Sequence, residues 1–179
     1  MPRIHYNAPA VLTFSLLSVL FCLINAELWC AVPGRGHFSP TNPLDYFRLF
    51  THVLGHAGWP HLMGNLTFVL LLGPILEQRY GTGKIVFMIL TTALLTGLAN
   101  ILLSPLHLVG ASGVVFMFII LTSIVDIKRG SIPLTFLLVA FIFIGKEIGD
   151  ALSKEDNVSQ LAHIVGGAVG AIFGFRKKK

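Results

Sequence analysis

Apolar residues fall in long runs at 8–26, 60–76, 84–103, 112–126, 132–148 and 161–175, with charges gathered at their ends and between them. None of the runs alternates apolar with polar positions, which excludes barrel strands and leaves helices. A helix crosses a bilayer with ~20 residues. In lipid only helices or closed barrels satisfy their own backbone. The pattern therefore predicts an all-α polytopic membrane protein with six transmembrane helices, built as a single domain over 1–179. The fourth run is short, so its helix is expected to start below the membrane surface at Ser112, surrounded by the others. A small-residue site near Ala26 would also suit a cleaved signal peptide, but the first run is long for a signal core and reads as a retained span.

Between the first two runs, residues 27–59 make a long loop punctuated by Pro33, Gly34, Gly36, Pro40 and Pro43. It also carries Trp29, Phe38, Tyr46, Phe47, Phe50 and Trp59. Aromatic residues favour the membrane interface, so this loop is expected to lie folded on the membrane face.

Composition agrees with the pattern. The chain is 54% hydrophobic and 12% charged, where a soluble domain has roughly 25% charged residues. Mean hydropathy is +0.79. The net charge of +5 raises the question of nucleic acid, but the cations sit at span ends, as topology signals do. Nine of the Lys and Arg residues fall on the side of the two termini and four on the other. The positive-inside rule places both termini in the cytoplasm. The Ser112 loop and the start of the last span then face outward. Cys22 and Cys30 are split between a span and a loop, which fits neither a disulfide framework nor a metal site. No cofactor or metal is expected.

Several polar residues interrupt the apolar runs. His61 and Asn65 are four apart, hence on one helical face near the outer end of their span. Two side-chain donors on one face suit an oxyanion hole, or they hydrogen-bond neighbouring helices. Ser112 opens the fourth span between Gly110 and Gly113. Free N–H groups and the helix dipole favour an anion there, but taken alone the stretch reads better as a glycine turn with a serine N-cap. His163 shares a face with Gly166 and Gly170, a G-x-x-x-G seam that allows close helix contact. Span four is the natural partner, which would set His163 against Ser112. An imidazole there can take the serine proton and return it to a leaving amine. No acid lies at a matching depth, so the pair would be a dyad, with Phe116 one turn after Ser112 available to stack on the ring. His52, His56 and His61 raise metal ligation, but no carboxylate or cysteine completes a set. Thr92, Thr96 and Asn100 recur every four residues and form a polar stripe leading to the serine loop. With His52 it suits a water path, and it suits ordinary helix packing as well.

Taken together, these motifs resemble the rhomboid family of intramembrane serine proteases, in its compact bacterial six-span form. The likeness runs from about Phe47 to Gly170. It rests on His52, His56, His61 and Asn65, on Glu77, Arg79 and Gly81, on Gly110, Ser112 and Gly113, and on Ala162, His163, Gly166 and Gly170. The resemblance implies an endopeptidase that cuts transmembrane or membrane-adjacent segments of other membrane proteins, without a cofactor. Ser112 would be the nucleophile and His163 the base; His61, Asn65 and the Ser112 amide would form the oxyanion hole. Phe47 stands where the family often has a Trp before Arg48, and Phe116 where it commonly has Tyr. Span five, with the 150–160 loop, corresponds to the family's substrate gate and cap. The implied location is the bacterial inner (plasma) membrane, the active site opens outward, and the implied partners are substrate helices and lipid, not nucleic acid. Oligomeric state has no signature in these residues. The alternative is a rhomboid-like pseudoprotease that binds helices without cutting them, although such relatives usually lack the serine or the histidine. A small transporter would need charged or broken-helix ion sites at mid-membrane, and the pattern offers none.

Overall fold

The computed structural model describes residues 5–127 and 157–175, together with Leu134, Leu138 and Phe141. Every regular element among the described residues is a helix: α1 (Pro9–Leu23), α2 (Glu27–Cys30), α3 (Pro43–Thr51), α4 (Trp59–Tyr80), α5 (Thr82–Leu103), α6 (Ser112–Ile127) and α7 (Asn157–Phe175). The expected fifth span at 132–148 and the 150–160 cap loop lie largely outside the described residues. By length and composition α4 and α5 can each cross a membrane. Their 22 residues give a length of about 33 Å, enough for a hydrocarbon core of ~30 Å.

Helix α4 continues past the expected end at 76 and reaches Tyr80. The reason is Glu77, which is 4% exposed although ionisable. Its carboxylate accepts from the backbone N–H groups of Ala10 and Val11, at 2.9 and 3.0 Å, and from the Thr82 hydroxyl at 2.7 Å. Residue 77 thus caps the start of α1, whose opening Pro9 needs no donor partner. Gly81, at φ 86°, then turns the chain into α5.

The centre of the bundle is α6. Val114, Val115, Met117, Phe118 and Leu121 are at most 1% exposed, as expected of a helix apolar on all sides. Among the described elements its most extensive neighbour is α7, and α4 and α5 pack on it as well. At the crossing of α1, α4 and α6, a Cβ on Gly73 would lie 2.6 Å from Val11 and 3.1 Å from Phe118, so only glycine admits both neighbours.

The 27–59 loop holds two short helices, α2 and α3, that a loop assignment does not anticipate. Asn42 caps α3 by accepting from Leu44 N–H at 3.1 Å. Arg48 ties the loop together: its guanidinium donates to Asp45, Trp29 O and Leu28 O. Trp29 and Phe47 point outward, 70% and 67% exposed, while Leu49 packs against Gly97 of α5.

Candidate active site

Three chain segments converge on the start of α6. The first is the turn before it. Gly110 adopts φ 122°, which favours glycine, and its N–H donates to His52 O at 2.9 Å. A Cβ on Gly110 would lie 2.6 Å from the His61 ring, so the imidazole rests directly on this turn. Val115 N–H donates to Ala111 O at 3.0 Å. Ala111 is therefore the N-cap, and Ser112 is the first helical residue, not the cap. Its side chain is left to point from the helix start, half-buried.

The second segment is the histidine series. His61 Nδ1 accepts from Ala57 N–H at 3.3 Å, which puts the ring proton on Nε2, the nitrogen that lies on Gly110. His56 has the opposite tautomer: Nδ1 donates to Leu54 O at 3.1 Å and Nε2 accepts from Ala111 N–H at 3.4 Å. The two rings meet edge-on with centroids 5.1 Å apart. His52 donates from Nε2 to Ala93 O at 3.1 Å, leaving Nδ1 buried with no partner among the described residues. Burial pushes the His52 pKa down to about 4. Burial also lowers His56 to about 4, helped by the neighbouring His61. The series works as hydrogen-bonded braces around the serine turn. His56 holding Ala111 N–H is a positioning contact that spacing alone does not disclose.

The third segment is α7. His163 is 6% exposed, and its ring stacks on Phe116 with centroids 4.2 Å apart and planes 16° from parallel. The glycine seam explains the approach. A Cβ on Gly166 would run into Gly113 O, and one on Gly170 would come within 2.6 Å of Met117 O. Gly174 continues the seam against Ile124. A Cβ on Gly113 would lie 3.2 Å from Ala162 O. The chain neighbours of Ser112 and of His163 are thus in direct contact across the α6–α7 crossing.

Asn65 is buried, and its Nδ2 donates to His61 O one turn back, at 3.1 Å. In this state its amide serves its own helix. The polar stripe on α5 is buried throughout. Thr92 and Thr96 hydroxyls donate to the carbonyls of Met88 and Thr92, both at 2.8 Å, so these groups are largely satisfied within α5. Thr96 Oγ1 also lies 3.4 Å from His52 Nε2. Asn100 has a structural role: its Nδ2 donates to Pro33 O and Leu106 O, at 3.3 and 3.0 Å. With the paired bonds between Val32 and Leu108, it fastens the 27–59 loop to the segment leading into the serine turn. Burial pushes the Cys30 thiol up, against the weaker opposing effects of Thr51 and Arg48. The family model for the Rhomboid domain matches residues 43–178.

Proposed function

Because this chain belongs to the rhomboid family, we propose that it is an intramembrane serine endopeptidase that cleaves transmembrane or membrane-adjacent segments through Ser112 and His163. The observation that carries this reading is the α6–α7 crossing, with Phe116 stacked on His163 and Gly166 seated on Gly113. In the proposed mechanism Ser112 Oγ attacks the peptide carbonyl while His163 takes the hydroxyl proton. The oxyanion meets the Ser112 N–H and the His61 Nε2–H. The Asn65 amide joins them by leaving its own-helix bond to His61 O. His163 then protonates the leaving amine, and a water attacks the acyl-enzyme with His163 again as base. The buried Nδ1 of His52 is the natural acceptor for a water on its way to the site. Phe116 takes the orienting role that an acid plays in a triad, through ring contact alone.

In this reading the bundle has six spans, both termini lie in the cytoplasm, and the site opens toward the outer face. Purified protein with a transmembrane substrate tests the chemistry. Ser112→Ala and His163→Ala are expected to lower turnover by roughly ten-thousand-fold or more, as for other serine nucleophiles and bases. Equal cleavage by Ser112→Ala would overturn the dyad. Helix binding by the wild type without any cleavage would assign the chain to the pseudoproteases instead.

A further inference from the structure

A type II turn sits on the segment that leads into Ser112. His37 N–H donates to Gly34 O at 3.1 Å, and Gly36 supplies the positive φ of 83° that such a turn needs at its third position. Arg35 therefore takes the apex. Residues 104–106 seat the turn. Arg35 N–H donates to Ser104 O at 2.6 Å. A Cβ on Gly34 would run into Pro105 O and lie 3.0 Å from Leu106 N, so only glycine allows this approach. Before the turn, Val32 and Leu108 exchange paired bonds. After it, Phe38 meets Tyr46 edge-on with centroids 5.3 Å apart. The turn is thus fixed on both sides, and it brings Arg35 and His37 to one rim with His107.

All three residues are exposed. Among the described residues none of their side chains has a hydrogen bond or an ion pair, and the one ion pair there joins Asp45 to Arg48. The rim is held by backbone bonds and a glycine contact, so its side chains are free for another use. Arg35 supplies a fixed positive charge with a planar fork of donors, and each imidazole adds a donor. The rim also lies near the proposed nucleophile along the chain. His107 stands five positions before Ser112, so at most ~18 Å separates their backbones. A peptide held extended at Ser112 covers that distance with about five residues. A lipid headgroup has no fixed distance to the serine turn, whereas a substrate chain does.

We propose that Arg35, His37 and His107 form a recognition rim for an acidic flank of the substrate. The flank carries Asp or Glu within about five residues of the cleaved bond, on the part of the substrate outside the membrane. The rim selects among substrates and takes no part in breaking the bond. It rests on the proteolytic reading, with Ser112 as the point at which the substrate is held.

Three versions of one transmembrane substrate, with an acidic, a neutral or a basic flank, test it on the full chain in phosphatidylcholine vesicles. The acidic flank is expected to give a kcat/KM roughly threefold to tenfold above the neutral one, through KM, and the difference is expected to shrink as salt rises. Arg35→Glu combined with His107→Glu is expected to reverse the order and to leave the neutral substrate unchanged, while Arg35→Lys keeps the wild-type order. Equal kcat/KM for the three flanks would overturn the proposal, as would a preference that survives the double substitution. Binding of labelled substrates to Ser112→Ala separates this proposal from the proteolytic reading. If the wild type cuts nothing and Ser112→Ala still holds the acidic flank more tightly, the proteolytic reading falls and the rim stands as a binding feature. Cleavage of all three flanks at one rate removes the rim alone. Vesicles containing phosphatidylglycerol test a lipid occupant. If the double substitution changes all three substrates alike, and only with that lipid present, the rim belongs to headgroups and the proposal is overturned.

Discussion

Phe116 and the braced histidines carry the residue-scale consequences. The stack of Phe116 on His163, at 4.2 Å and 16°, fixes the imidazole plane, and in the proposed dyad it would stand in for a carboxylate partner. Aromatic pairs contribute about 0.5–1.5 kcal/mol beyond area burial. Phe116→Leu is therefore expected to lower kcat by roughly threefold to tenfold with little change in KM, while Phe116→Tyr, which keeps the ring face, retains activity. Steady-state kinetics on a transmembrane substrate separates these outcomes. His52 and His56 have pKa values pushed from 6.5 to about 4. Below pH 6.5 the unfolded chain binds protons that the native chain refuses until about pH 4, so stability rises with pH across this window. Each histidine accounts for on the order of 3 kcal/mol. Detergent melting curves are expected to fall steadily from pH 6.5 to 4 and to flatten below. A His52→Leu variant with an equally steep fall would count against this assignment.

At the scale of elements, α7 reaches α6 because its crossing face is glycine. A Cβ at Gly166 meets Gly113 O, whereas a Cβ at Gly64 of α4 has nothing within 4 Å. Two identical chemical changes should thus have opposite effects. Gly166→Ala is expected to destabilise by about 1–3 kcal/mol, the usual cost of overpacking, and to lower activity further by displacing His163. Gly64→Ala is expected to stabilise by about 0.5–1 kcal/mol through helix propensity. Thermal unfolding of the two variants in the same detergent decides it; a stabilising Gly166→Ala would mean that the helices have room to spare. Helix α1 illustrates another element-scale dependence. Its first N–H groups are satisfied by Glu77 from α4, 67 and 66 positions away, and not by a local cap. Buried backbone donors need partners, so the end of α4 and the start of α1 and α5 hold together as one unit.

For the whole molecule, charge predicts an orientation. Nine cationic residues on the side of the termini against four on the other predict cytoplasmic termini. A fluorescent reporter fused after Lys179 is expected to mature in the cytoplasm, and a periplasmic phosphatase at the same point is expected to be inactive. The reverse pattern would turn the serine turn inward and sink the proposed outward-facing site. The predicted orientation would set the exposed Trp29 and Phe47 at the outer interface and the Arg79–Lys84 end at the inner one.

The family and the helical class were legible in the residues because lipid imposes them locally, whereas helix ends were not: α4 reaches Tyr80 and the last helix starts at Asn157. A bilayer demands an apolar run of fixed length, and Ser112, His163, Gly166 and Gly170 mark their helices by spacing alone. Tertiary structure decided what required distant groups to meet. Glu77 reads as one member of a motif at a span end, yet it is the buried cap of α1. Asn100 reads as part of a polar stripe, yet it joins Pro33 to Leu106. Ser112 reads as a possible cap, yet Ala111 takes that position. His56 reads as one histidine of three, yet it holds the amide beside the serine. Periodicity reports which face of a helix is apolar; it does not report which carbonyl, amide or ring lies opposite once the chain has closed its loops. Ser112 and His163 stand out as candidates in the one-dimensional pattern. The stack, the glycine contact and the histidine braces around them exist only in the folded chain.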